Sequence, residues 1–100
     1  MKVYAFVGES GSGKSYRAAW VAGENNIECI IDDGLLIRGN KILAGRSAKR
    51  ETTKIASVRR AIFLNPAHAA EVKVALKREN PESVMILATS DEMADRIAKM

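Results

Sequence analysis

Apolar residues in this chain fall into short runs separated by glycine, asparagine, proline and charge, and the spacing inside the runs switches between strand-like and helical. Lys2 to Val7 is a mostly apolar, partly β-branched run and predicts a first strand ending at Gly8. From Lys14 to about Ala22, Tyr16, Ala19 and Trp20 share a helical face, with Trp20 read as a core anchor. Gly23-Glu24-Asn25-Asn26 supplies a C-terminal stop. Ile27 to Ile31 is a second strand, apolar enough to be covered on both faces, and it ends at Asp32-Asp33.

Beyond it, Gly34 to Ile37 and Lys41 to Ala44 flank Arg38-Gly39-Asn40, where Gly39-Asn40 suits a two-residue hairpin turn; a small hairpin projecting from the sheet is expected. Ser47 is placed to cap a helix from about Ala48 to Phe63 with Ile55, Val58 and Ile62 on one side. Asn65-Pro66 starts another, running to about Glu79 and burying Ala69, Val72, Ala75 and Leu76 before Asn80-Pro81 stops it. Ser83 to Ala88 is a third strand. Thr89-Ser90-Asp91 then leads into a last helix, Glu92 to Lys99, with Met93 and Ile97 inward.

This β-α-β alternation predicts an α/β fold: a parallel sheet with helices on both faces and right-handed crossovers, carrying a β-hairpin insertion. Three good parallel strands are few for an open α/β sheet of this type. Residues 1–100 are therefore expected to be one small or truncated domain, the N-terminal part of a longer protein.

Between the first strand and the first helix lies Gly8-Glu9-Ser10-Gly11-Ser12-Gly13-Lys14-Ser15, which fits G-x-x-x-x-G-K-[ST] at every fixed position and in the strand-loop-helix context that pattern requires. Glycines at 8, 11 and 13 let main-chain N–H groups close around phosphate oxygens with no Cβ in the way. The helix that follows adds unpaired N–H groups and the positive end of its dipole. Lys14 would reach the β- and γ-phosphates, the Ser15 hydroxyl would ligate Mg²⁺, and Tyr16 flanks the pocket. A nucleoside triphosphate is the expected ligand, with ATP favoured.

Ligands of open α/β sheets gather beyond the carboxyl ends of the strands, so the loop, Asp32-Asp33 and Thr89-Ser90-Asp91 should meet. Asp32 and Asp33 are the candidates to complete the metal site, and Asp33 to orient a water or substrate hydroxyl; capping of the Gly34 turn is the alternative for one of them. Thr89 and Ser90 either sense the γ-phosphate or, for Ser90, cap the last helix.

Composition narrows the classes. A chain of 100 residues, 47% hydrophobic and 28% charged, suits one globular domain with a core. No apolar run approaches the ~18 residues of a membrane helix, and a cytoplasmic protein is expected. Cys29, the single cysteine, excludes a disulfide framework and reads as a buried thiol. The net charge of +4 divides unevenly, with +7 between Arg38 and Arg60 and −3 elsewhere. That basic stretch reads first as solvated helix surface, second as a lid bringing Arg46, Arg50, Arg59 or Arg60 onto the phosphates, and third as a nucleic-acid contact, which no interleaved aromatic supports. His68 reads as a surface or satisfied histidine.

The first third of the chain resembles the phosphate-loop (P-loop, Walker A) NTPase superfamily. The whole chain, through Ile30 to Ile37, Ala44 to Lys49 and Leu87 to Asp91, is similar to the N-terminal region of a little-characterised family of bacterial ATP-binding proteins. That resemblance implies nucleotide binding and a longer protein but no reaction. Gly8 to Asp33 is also similar to shikimate-kinase-like small-molecule kinases, although adjacent acids and a following hairpin depart from that pattern. Three functions follow as expectations: an Mg²⁺-dependent NTPase, a small-molecule kinase, or a nucleotide-gated module for a protein partner.

Overall fold

A computed structural model of the chain describes residues 1–9, 13–39, 41–48 and 51–99. Its centre is β5 (Ser83–Ala88), buried at every position, which pairs in parallel with β1 (Lys2–Val7) on one side and β2 (Cys29–Asp32) on the other. Two further strands, β3 (Leu35–Arg38) and β4 (Lys41–Gly45), continue the sheet antiparallel, in the order β1-β5-β2-β3-β4.

The sheet is thus mixed, which corrects the expectation of a parallel sheet with a projecting hairpin. The cause is local. Asp33 and Gly34 have φ of 55° and 83°, the positive pair of a type I′ turn, and Asp32 faces Leu35 directly across it. The chain therefore folds straight back on β2 instead of crossing over, and burying Leu36 completely, an effect of roughly 1.5–3 kcal/mol, holds it there. A Cβ built on Gly34 would run into the carbonyl of Arg46, so only glycine closes this turn against β4.

Among the described residues the sheet is flanked by the α-helices α1 (Lys14–Glu24), α2 (Lys54–Ala61), α3 (Pro66–Glu79) and α4 (Asp91–Ala98). Side chains alternate along β5, so Met85 and Leu87 meet Ala18 and Ala22 of α1 on one face. Val84, Ile86 and Ala88 meet Val72, Ala75, Ala94 and Ile97 of α3 and α4 on the other. Asn65 caps α3 through Ala67 and His68 N–H groups, with Pro66 at the first position, and Ser90 caps α4 through Met93 N–H at 3.2 Å. Both starts match the sequence signals.

The expected helix from Ala48 starts instead at Lys54, because Thr53 accepts from Ala56 N–H at 3.0 Å while the Ser47 hydroxyl is committed to Asp33. It ends before Phe63, and its supposed inner residues Ile55 and Val58 are exposed. Trp20 is no core anchor either, being 66% exposed. The buried stripe of α1 is Ala18 and Ala22, and two residues of helix turn the side chain about 200° from Ala18 to Trp20, onto the opposite side.

Candidate functional site

Gly8 leaves β1 beside the end of β5, its N–H donating to Ala88 O at 3.1 Å. Ser10, Gly11 and Ser12, the middle of the expected phosphate loop, lie outside the described residues. The chain re-enters at Gly13, which has φ of 77° and occupies the N-cap of α1. A glycine cap has no side chain to satisfy the first N–H groups, whereas Thr53, Asn65 and Ser90 satisfy theirs in the other three helices.

The first turn of α1 then presents Lys14 and Ser15. The ammonium of Lys14 donates to Gly8 O at 2.9 Å and Ala88 O at 3.2 Å, so it lies across the carboxyl ends of β1 and β5. The Ser15 hydroxyl donates to Asp32 Oδ2 at 2.8 Å, joining α1 to the end of β2. Asp33 follows in the left-handed turn, and its carboxylate accepts from the Ser47 hydroxyl while its carbonyl accepts from Ala48 N–H at 2.9 Å. Lys14 and Ser15 at the end of the expected loop, Asp32-Asp33 and Thr89 line one cavity of about 690 Å³. Glu9, Gly13 and the largely exposed Tyr16 also line it.

Not every expected residue joins them. Ser90 is used as the cap of α4, and Asp91 is exposed in the first turn of that helix. Of the arginines considered for a lid, Arg60 is paired with Glu51 at 3.0 Å, Arg59 lines a separate groove and Arg46 is exposed without lining the cavity. Arg50 lies outside the described residues, as do Lys49 and Asn40 of the second hairpin turn. The basic residue of that segment that does line the cavity is Lys54. Recognising Thr53 rather than Ser47 as the cap would have pointed to it, since a cap at 53 puts Lys54 at the first position of the helix. Val58, Ala61 and Ile62 continue the same wall, so the cavity extends from a polar end at Lys14 to an apolar one on α2.

Chemically, the polar end has an ammonium held by neutral carbonyls and a carboxylate held by a hydroxyl. Each of these bonds has one ionised partner, and a bond between opposite charges, the ammonium on a phosphate or the carboxylate on a cation, would be stronger than either. Among the described residues no group of three His, Cys, Asp or Glu side chains gathers as a metal cage. A cation here would rest on Ser15 and Asp32 with the remaining positions filled by water and ligand oxygens, the habit of Mg²⁺ rather than of a structural metal. Comparison with protein families, with characterised proteins and with solved structures finds no match to this chain.

Proposed function

We propose that the chain binds a nucleoside triphosphate, ATP, together with Mg²⁺ at the carboxyl ends of β1, β5 and β2, and hydrolyses it. The observation that carries this reading is the Ser15–Asp32 contact at 2.8 Å, because it joins the last residue of the phosphate-loop pattern, next in the chain to Lys14, to a carboxylate 17 positions away. On binding, Lys14 would exchange Gly8 O and Ala88 O for β- and γ-phosphate oxygens, and the uncapped N–H groups of α1 would face the same anion. Ser15 and Asp32 would hold the metal, with Asp33 reaching it through water. Bound there, Mg²⁺ would neutralise charge developing on the phosphates. Asp33, held by Ser47, would orient the attacking water. That oxygen bonds to the γ-phosphorus as the bond to the β–γ bridging oxygen breaks, and the proton of the water leaves to the phosphate product and solvent.

A second reading, phosphoryl transfer to a small molecule, is favoured by the apolar wall of Val58, Ala61 and Ile62 beyond the phosphate end, which offers room for an acceptor. It requires the γ-phosphate to appear on an acceptor hydroxyl, so release of inorganic phosphate alone across an acceptor screen would reject it.

Calorimetry with ATP and Mg²⁺ on the wild type and on Lys14→Ala tests the binding site. The wild type should bind and the variant should lose about a hundredfold in affinity, the scale of one or two charge-assisted hydrogen bonds. Equal binding by both, or none by either, overturns it.

A further inference from the structure

His68 lies in the first turn of α3, well behind the cavity, and is only 4% exposed. Its Nε2 is 2.8 Å from Gly34 O and 3.2 Å from Arg46 N. These two groups belong to the two turns that hold Asp33. Gly34 follows Asp33 directly, and Arg46 precedes Ser47, whose hydroxyl binds the Asp33 carboxylate. Ala48 N–H, two residues after Arg46, closes the assembly on Asp33 O.

A carbonyl needs a donor and an amide needs an acceptor, so Nε2 ties one turn or the other to α3 in either tautomer. Nδ1 is buried with no partner among the described residues, which an apolar ring of the same size would avoid. The ring is also clamped: Phe63 stacks on it with centroids 4.7 Å apart and holds φ of 60°, a left-handed conformation unfavourable for an aromatic residue. A buried imidazole with one nitrogen unsatisfied, gripped by a strained neighbour, is a costly way to fill space. Its return is the link from Nε2 to one of the two turns.

We propose that His68 is a positioning residue, which acts through Gly34 O or Arg46 N–H, according to its tautomer, to set the Asp33–Ser47 pair against the phosphate end of the cavity. The inference rests on the nucleotide reading for its consequence, but its structural content is independent of any ligand.

Three variants test it. In His68→Gln the amide nitrogen reaches as far as Nε2 and can replace it, while in His68→Asn it reaches only as far as Nδ1; His68→Ala removes the link. The first readout needs no nucleotide: the side-chain carboxyl carbon resonance of Asp33 and the exchange rate of the Ala48 amide. In Ala and Asn the Asp33 resonance should move and Ala48 should exchange about tenfold faster, the scale of one net hydrogen bond. In Gln both should return towards wild type, with Asp95 and the amides of β5 unmoved throughout. Should the alanine variant not fold, the Gln and Asn pair decides by itself. An unmoved Asp33 resonance, or equal behaviour of Gln and Asn, overturns the positioning role.

The second readout is ATP affinity with Mg²⁺ and with EDTA. His68→Asn should lose about tenfold with Mg²⁺ and nothing in EDTA, since the loop itself is untouched. An equal loss in both conditions, or none in either, also overturns the proposal. A wild type that binds no nucleotide rejects the functional reading instead, and leaves the resonance and exchange data to judge His68.

Discussion

Charge is handled in opposite ways at the two ends of the sheet. Near the start of β2, Arg38 bonds Glu28 at 2.9 Å and Glu79 at 3.1 Å, tying β3 to β2 and to α3. At the other end, Lys14 rests on two carbonyls and Asp32 on a hydroxyl, and neither forms an ion pair among the described residues. The first arrangement satisfies its charges with one another and asks nothing of a ligand. The second keeps an ammonium and a carboxylate close together, each on a neutral partner that a phosphate or a cation can outcompete. A sheet end with paired charges is architecture; one whose charges lean on neutral groups can exchange them for a ligand.

Substitutions at each end should separate binding from stability. Lys14→Ala gives the largest expected effect: the hundredfold loss of affinity for MgATP, about 2.7 kcal/mol, should come with a smaller change in urea unfolding, under about 1 kcal/mol, because the carbonyls it leaves are partly exposed and water can replace the donor. A stability loss as large as the binding loss would make Lys14 structural and erase the contrast.

Gly34→Ala comes next and belongs to both sides of the comparison, since it deforms the turn bearing Asp33. The left-handed φ and the obstruction by Arg46 O should cost about 2 kcal/mol or more, read as a lowered urea midpoint, and nucleotide affinity should fall with it. Arg38→Ala should do less. Its side chain is 42% exposed, so its two ion pairs together should contribute under about 1 kcal/mol, fading in high salt, with nucleotide affinity unchanged.

The smallest effect concerns Cys29, which lies at that same amino end. Burial pushes its thiol above the ordinary value of 9.0, with Arg38 opposing the shift and Glu79 and Glu28 adding to it. The folded protein therefore keeps the thiol proton to higher pH than the unfolded chain does. Its contribution to stability is complete below about pH 9 and declines as pH rises beyond that. Urea midpoints measured at about pH 8 and about pH 10 should converge in Cys29→Ala relative to wild type; an identical alkaline decline in both would assign it elsewhere.

Much of this was legible in the chain because the relevant signals are local. Asn65-Pro66 announced a helix start through cap chemistry that acts within three residues, the capping of α4 was one of the two readings of Ser90, and Ser83 to Ala88 read as a strand. Asp33-Gly34 carried a local signal too, an Asp-Gly pair between apolar runs, and a turn at Gly34 is one of the two readings the chain supports there; that this turn folds β3 back onto β2 is not legible from it. Trp20 and Ile55 show the limit of hydrophobicity as a guide. Each is apolar at helical spacing, yet which side of a helix faces the sheet depends on which stripe packs most closely, and in α1 that stripe was alanine. His68 gave no signal at all, because its partners are main-chain groups 34 and 22 positions away.

By itself, then, the order of residues determined where the strands and the starts of α1, α3 and α4 would lie, since those preferences come from backbone sterics and hydrogen bonds closed over a few residues. Tertiary structure alone decided that Asp32 rather than Asp33 would bond Ser15, that Ser47 would serve Asp33 rather than a helix, and that the hairpin would continue the sheet instead of projecting from it. Those outcomes turn on contacts between distant segments, whose geometry exists only once the two faces of β5 have drawn the helices together.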